Sequence, residues 1–370
     1  MKSISIVATF PDPNSLDSLK GGYRRVTELI KLLSHENNND VTLYIISSKK
    51  YNLTLDYVDH INCISSGSNL VRMVKTFFTL LGCRKSTDMI IVYNPTYHTF
   101  PAMFLKYFGV KVIMDYVDQQ GTIVEGGKRG LKKYIEKRMI ANISYFITSS
   151  SFLDNKISLY NRKAKVLMYR GTFDSEEYEN KDFDKKEDVV NIVYLGLMAP
   201  MSGVDILIRA FDSISNEKTR LYIVGQGHMK EDLIRLVEKL GNELITFKSL
   251  TDSELHQFLL NMDILTIPYV NDKRNQANFP SKIIEYLWCG KAILATNVGE
   301  IPKVLSHMEN AILIESDNLE EIKNGLQLLI NDERLREELG KNAREYFVDN
   351  FSARIMSKRM NDFLQIVLED

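Results

Sequence analysis

Cysteine is scarce in this sequence: Cys63, Cys83 and Cys289 are its only three, odd in number and widely spaced. They form neither a paired disulfide framework nor a zinc-ligand spacing, and such usage fits a reducing cytoplasm. No apolar run approaches the roughly 18 residues of a membrane-spanning helix. The N-terminus, MKSISIVATF followed by Pro11 and Pro13, lacks the apolar stretch and cleavage site of a signal peptide. Short-period repeats, low-complexity tracts and the phosphate-loop lysine motif are also missing. Net charge is nearly absent, at −1 over 370 residues. What remains is 44% hydrophobic and 26% charged. That composition excludes disorder and collagen-like sequence and can bury a core in each of two domains.

The −1 is a cancellation. Residues 1–175 hold 24 Lys and Arg against 14 Asp and Glu, whereas residues 176–370 hold 23 against 34. The basic half is drawn to anionic partners, and salt weakens that attraction.

Strand-like and helix-like segments alternate along the chain. Ser3–Phe10, Val41–Ser47, Met89–Tyr93, Val112–Tyr116, Tyr145–Thr148 and Lys165–Tyr169 are short apolar strands, with helical patterns near 22, 70–82, 99–108, 129–140 and 151–160. A polar stretch, Ser175–Asp188, reads as a linker. The alternation restarts with strands at Val190–Leu195, Leu221–Val224, Leu244–Phe247, Ile264–Ile267, Ala292–Ala295 and Ala311–Ile314. Between them lie helices over 203–213, 229–240, 252–260 and 281–288. Buried strands alternating with helices predict an α/β fold of two Rossmann-like, doubly wound domains, with a cleft expected between strand C-terminal ends. The expected divisions are 1–175, 176–350 and a last helix, 351–370, whose apolar stripe must dock on another part of the protein.

Three glycine turns fall where a strand ends and a helix begins: Gly21-Gly22, Gly196 to Gly203, and Gly225-Gln226-Gly227. Glycine lets backbone approach a phosphate, and a helix N-terminus offers free N–H groups. Tight strand-to-helix packing is the plainer reading of any one turn. The dinucleotide fingerprint is incomplete, since Lys230 stands where its last glycine belongs, which disfavours a dehydrogenase. The richest stretch is Phe279-Pro280-Ser281-Lys282-Ile283-Ile284-Glu285-Tyr286-Leu287-Trp288-Cys289-Gly290. Pro280 and Ser281 suit a helix start, with Ser281 a candidate cap, and Gly290 suits its end. Glu285 then sits one turn in, where a carboxylate can accept two ribose hydroxyls.

These residues resemble a GT-B glycosyltransferase of the large retaining group, glycosyltransferase family four ("group 1"). The resemblance rests on the PSKIIEYLWCGKAILAT run, supported in order by the first glycine turn, YRGTFD, YLGLMAPMSGVDILIRAF, LYIVGQG and MDILTIP. It spans nearly the whole chain and is strongest over 190–350, and the closing helix resembles the family's last helix, which crosses back onto the N-terminal domain. It implies a first domain for the acceptor and a second for a nucleotide diphospho-sugar, UDP- or GDP-linked, with no metal or other cofactor. By position, Glu285 would hold the ribose. Ser281 and Lys282 would face the diphosphate, with Gly21, Gly22, Gly196, Ser202 and Gly203 in the phosphate-approaching turns. Gly225, Ser249 and Leu250 would line the base pocket, and Asn278, Phe279 and Pro280 would lie near the sugar. The sequence departs from the family at Ala277, where an earlier glutamate is usual, and at Leu197 and Ser202, where two cations are usual. Arg274, Lys282 and Arg170 are the candidates to replace those cations. Val117 stands where many relatives carry histidine, which leaves Asp118 as the acidic candidate near the acceptor. The resemblance further implies retention of configuration, a glycan or lipid-linked acceptor, no nucleic acid, and a cytoplasmic enzyme, with the basic domain against an anionic membrane face. The departures keep open a second reading, a catalytically weak or inactive subunit that binds a sugar nucleotide or a partner.

Other features read more plainly. Asp182-Phe183-Asp184 has the spelling of a metal-binding motif but lies in the polar linker, as a solvated charge run. His98 and His228 follow turns and read as surface or structural residues. Trp288 reads as core. Two amphipathic basic segments, with Val71, Val74, Phe78 and Leu81 on one and Leu131, Ile135 and Met139 on the other, read as ordinary layer helices or as a membrane-facing surface.

Overall fold

A computed structural model describes residues 2–9, 22–36, 39–48, 55, 58, 60–117, 129–173 and 189–370. The chain divides into two compact units, Met1–Thr172 with Ala353–Asp370, and Phe173–Ser352. The polar stretch 175–188 and its Asp182-Phe183-Asp184 lie outside the described residues.

In the first unit the strands are β1 (Ser3–Thr9), β2 (Asp40–Ser47), β3 (His60–Ser65), β4 (Met89–Tyr93), β5 (Lys111–Tyr116), β6 (Tyr145–Thr148) and β7 (Lys165–Met168). They form one parallel sheet in the order β3-β2-β1-β4-β5-β6-β7. The central strands are continuous apolar runs because helices cover both faces. On one face lies α1 (Gly22–Lys31), continued by a π-helical turn, Leu32–Glu36. On the other lie α2 (Asn69–Gly82), a 3-10 helix over Phe100–Phe108, α3 (Arg129–Asn142) and α4 (Ser151–Tyr160).

In the second unit β8 (Val190–Leu195), β9 (Thr219–Val224), β10 (Ile245–Lys248), β11 (Ile264–Ile267), β12 (Ala292–Thr296) and β13 (Ile312–Ile314) are parallel in the order β10-β9-β8-β11-β12-β13. Its helices are α5 (Val204–Asp212), α6 (Lys230–Leu240), α7 (Asp252–Leu260), α8 (Lys273–Ala277), α9 (Lys282–Cys289), α10 (Leu319–Asn331) and α11 (Glu333–Phe351). Strand order reverses between β8 and β11, and ligands bind α/β sheets outside the strand C-termini at such a reversal. The closing helix α12 (Ala353–Glu369) returns to the first unit, where Met356, Met360, Phe363, Leu364 and Val367 join the core of α1 and β1.

Three local readings need revision. β3 was not read as a strand: it is an edge strand whose His60 and Asn62 face outward, so its apolar signal is thin. Residues 100–108 form a 3-10 rather than an α-helix, with Pro101 in the first turn. Leu131 is exposed, unlike Ile135 and Met139, so that stripe is only partly core.

A buried ion pair lies beside α1 in the first unit. Arg25 Nη2 lies 2.8 Å from Asp115 Oδ1, and Nη1 donates to the Tyr169 carbonyl at 2.7 Å. Its guanidinium also stacks 4.3 Å from the Tyr169 ring. Burial opposes the charge, but Asp115 outweighs it and raises the Arg25 pKa. This network ties the first turn of α1 to the C-terminal ends of β5 and β7 and so braces Gly22 and Arg170.

Candidate active site

The β8–β11 reversal gathers three segments of the second unit. The first is the turn leaving β8. Its Gly196-Leu197-Met198 stretch is pinned by a 2.8 Å bond from Met198 N–H to the Gln226 carbonyl and a 2.7 Å bond from Tyr194 Oη to the Leu197 carbonyl. Ser202 is buried and donates its hydroxyl back to the Leu197 carbonyl. It therefore shapes the turn from within, and Leu197 is half exposed. Gly203 ends the turn at φ 65°, and a methyl added there would fall 1.8 Å from the Pro268 carbonyl oxygen. Gly203→Ala is therefore expected to destabilise by about 3 kcal/mol or more, combining a left-handed backbone with a backbone collision. Gly241→Ala shares the φ but meets nothing within 4 Å, and should cost only about 1 kcal/mol. Chemical denaturation of both variants checks the difference.

The second segment follows β9. A methyl on Gly225 would fall 2.0 Å from the Gly196 carbonyl oxygen, so these two turns pack backbone to backbone. Gln226 Nε2 reaches Ser249 Oγ at 3.1 Å, which links this turn to the end of β10. Ser249 is exposed, and Leu250 packs partly into the core. His228 is exposed beside Gly227.

The third segment is α9. Ser281 has helical φ and ψ, −55° and −27°, and its hydroxyl does not cap the helix, contrary to the sequence reading. Pro280 and Ser281 start the helix through their carbonyls, which accept from Ile283 and Ile284 N–H at 3.0 and 3.1 Å. Tyr286 locks α9 in place: its hydroxyl accepts from Leu195 N–H at 3.2 Å and donates to the Thr266 carbonyl at 3.4 Å. Gly290 ends α9, and Trp288 is buried behind it.

Lys282 and Glu285 stand one turn apart on α9. Glu285 is 3% exposed. Lys282 is half-buried, and its ammonium is enclosed. It donates to the Leu195 carbonyl, lies against Gly196, and sits 4.5 Å from the Tyr194 ring centre and 5.0 Å from that of Tyr269. Burial pushes its pKa down to about 7, and nearby Glu285 only partly opposes the shift. Burial also raises the Tyr269 hydroxyl to about 12, so that ring is a neutral wall. Of the candidate cations, Lys282 is thus the one held at the β8 turn. Arg274 is exposed on α8, and Arg170 belongs to the first unit. Asn278 and Phe279 are half-buried between α8 and α9, and Ala277 is buried.

Gly22 lies in the first unit, where a methyl would fall 2.9 Å from the Tyr93 hydroxyl. Gly21 and Asp118 lie outside the described residues. His98 is half-buried, and burial together with Arg72 lowers its pKa. Tyr194, Tyr269 and Asn275 were not singled out from the sequence. Asn275 is buried and donates to the Met201 and Val270 carbonyls at 2.8 and 2.7 Å, which braces the β8 turn against α8. Tyr194 carried a readable signal, two residues before Gly196 on a buried strand. Among the described residues no group of three or more His, Cys, Asp or Glu is placed to hold a metal ion.

A turn of close-packed glycines, an enclosed ammonium and a buried carboxylate on one helix meet at the reversal point of a parallel sheet, the place where α/β folds bind their ligands. The whole chain superposes on the Anabaena protein HepE, solved in complex with UDP, with a TM-score of 0.81 at 15% identity, covering 99% of this chain and 100% of that one. The fold is therefore GT-B, the two-Rossmann glycosyltransferase architecture. Two uncharacterised glycosyltransferases of Methanocaldococcus jannaschii are similar in sequence. One is 23% identical over 87% of this chain and 88% of that protein. The other is 28% identical over 60% of this chain and 58% of that protein, so the chain spans less than two thirds of its length. Residues 174–346 match the family described as glycosyl transferases group 1.

Proposed function

We propose that the chain transfers a sugar from a nucleotide diphospho-sugar, UDP- or GDP-linked, to a hydroxyl of a glycan or lipid-linked glycan, with retained anomeric configuration and without a divalent metal. The observation that carries this reading is the placement of Lys282 and Glu285 one turn apart at the start of α9, beside the β8 turn. Glu285 accepts the two ribose hydroxyls. The Lys282 ammonium and the first-turn N–H groups of α9 take the diphosphate and stabilise the charge that develops on it as the glycosidic bond breaks. Ser249 and Leu250 border the base, and Asn278, Phe279 and Pro280 border the sugar. The acceptor hydroxyl attacks the face the diphosphate leaves, and a departing phosphate oxygen takes its proton. Asp118 is the proposed acidic residue near the acceptor. Lys282 supplies the cation that Leu197 and Ser202 do not, which removes the main reason to read the chain as inactive. The few, odd-numbered and scattered cysteines support a cytoplasmic setting.

A thermal-shift panel of UDP-, GDP- and ADP-sugars tests the donor. At about a hundred times Kd, binding to the native state adds about 2.7 kcal/mol, which is readily seen as a rise in Tm. The UDP held by the Anabaena protein makes the uridine series the first to try. One series should shift Tm, and NMR of the transfer product should then show the donor's anomeric configuration, with or without chelator. A flat response to the whole panel sinks the reading.

A further inference from the structure

The first unit's sheet has its own reversal of strand order, between β1 and β4. Ligands gather outside the strand C-termini at such a point. The turn leaving β4 is held rigidly there. Asn94 is buried at φ 55°, a left-handed backbone that asparagine tolerates better than most residues. Its N–H donates to the Asp115 carbonyl at 2.8 Å, its side-chain oxygen accepts from Val117 N–H at 2.9 Å, and its carbonyl accepts from the Thr99 hydroxyl at 2.7 Å. The turn is thereby tied to Val117, the neighbour of Asp118.

The start of α2 brings to this turn a charge without a counter-charge. Arg72, at the end of the first turn of α2, is 8% exposed. Its Nη1 donates to the Ser66 carbonyl at 2.6 Å and its Nη2 to the Asn69 side-chain oxygen, and both acceptors are neutral. Among the described residues no carboxylate pairs with it, and α2 contains no acid. A buried guanidinium is ordinarily paired, and a helix N-terminus is the unfavourable end for a cation. Lys75, the next cation along α2, is exposed and donates to the Ser65 carbonyl at 3.1 Å. Three polar atoms of this cluster are buried without a hydrogen-bond partner: Arg72 Nε, the Tyr97 hydroxyl and His98 Nδ1. The Arg72 charge is felt at His98, which adjoins Tyr97. Tyr97 and His98 are only half-buried, so the cluster runs from the interior to the surface. A trapped water would satisfy the hydrogen bonds and leave the charge unanswered, whereas an anion satisfies both.

We propose that the β4 turn and the start of α2 bind a hexuronate residue of the acceptor glycan, with Arg72 taking its carboxylate and Tyr97 and His98 taking neighbouring hydroxyls. The chemical class follows from charge. Arg72 is the buried cation of the cluster, and burial together with Arg72 lowers the His98 pKa, which leaves the imidazole neutral at pH 7. One positive charge matches a carboxylate, whereas a phosphate dianion brings a second negative charge that nothing buried here answers. A neutral imidazole and a phenol offer the donors and acceptors that sugar hydroxyls need. That the carboxylate belongs to the acceptor rests on the transfer reading above, and the anion site stands without it.

Saturation-transfer NMR of the full chain with glucuronate and with glucose, in the absence of nucleotide and with inorganic phosphate as competitor, tests this. Glucuronate is expected to bind at least about tenfold tighter than glucose, the scale of one charge-assisted hydrogen bond, and phosphate should displace it only in excess. Tyr97→Phe removes a hydroxyl that has no partner in the protein and should weaken glucuronate about fivefold with Tm unchanged. Arg72→Met should abolish the preference over glucose and raise the Tm of the ligand-free chain, because a buried charge without a partner is gone. A guanidinium kept only to hold Ser66 and Asn69 would instead lower Tm on removal and leave the sugar preference as it was. Three outcomes overturn the proposal: glucuronate bound no better than glucose, phosphate bound more tightly than glucuronate, or an Arg72→Met variant that keeps the preference. A chain that binds glucuronate yet responds to no nucleotide sugar would keep this site and lose the donor reading.

Discussion

Glu285→Gln is expected to weaken UDP-sugar binding by at least about a hundredfold, because hydrogen bonds to a charged group are worth about 1.5–3 kcal/mol each and two ribose hydroxyls lose their anionic acceptor. Glutamine keeps the volume of a side chain that is 3% exposed, so no cavity opens. The change also acts through Lys282, whose ammonium Glu285 helps keep protonated. Two measurements separate the effects. On a Lys282→Met background no ammonium is left for Glu285 to hold charged, so the defect that Glu285→Gln adds there belongs to the ribose contact. In addition, 2′-deoxy-UDP should bind the parent protein far more weakly than UDP does, yet bind Glu285→Gln almost as well as UDP does. That thermodynamic cycle reports the hydroxyl–carboxylate contact alone. Calorimetric affinities for UDP that match in parent and variant would remove Glu285 from the site.

How much of this was legible in the sequence depended on whether the information was local. The apolar strands and the glycine turns declare themselves by periodicity and position, and both parallel sheets follow from them. β3 does not, because an edge strand with His60 and Asn62 facing outward has no apolar pattern to read. The start of α9 was legible, but the manner of its capping was not. Ser281 has the right chemistry, yet Pro280 sets the chain so that Ser281 is already helical and its hydroxyl cannot turn back. The cation was the deepest ambiguity. Arg170, Arg274 and Lys282 are equivalent as letters, and only three-dimensional packing separates a side chain threaded between Tyr194, Tyr269 and Gly196 from one exposed on α8. Tyr269 had no signal of its own, since an aromatic two residues beyond a buried strand is most often core. The apolar stripes of α2 and α3 were visible too, but periodicity alone does not say whether a stripe faces the sheet or the solvent.

Lys282→Met should lower kcat/KM for transfer about 10²–10³-fold, the scale of losing one preorganised donor to a developing oxyanion. The larger interest is in its pH dependence. Without ligand the ammonium is buried against two rings and a carbonyl, and its pKa is about 7. A bound diphosphate favours the charged form and raises that pKa, so binding above pH 7 must take up a proton. The sign follows directly. Below about pH 7 the site is already charged and affinity is flat, whereas above it affinity should fall by up to about tenfold per pH unit until the pKa of the complex is reached. The ligand-free protein moves oppositely. Its lysine pKa is depressed, so the unfolded chain binds more protons between about 7 and 10.5, and stability gains from this group as pH rises through that window. Calorimetry at pH 8 in two buffers of different ionisation heat should therefore show close to one proton taken up per UDP-sugar bound. Lys282→Met should abolish that uptake, and Lys282→Arg, which stays charged throughout, should flatten the pH profile while restoring part of the affinity. A parent protein whose donor affinity is the same from pH 6 to pH 9 would mean that Lys282 does not meet the diphosphate, and the cation would then have to be sought at Arg274.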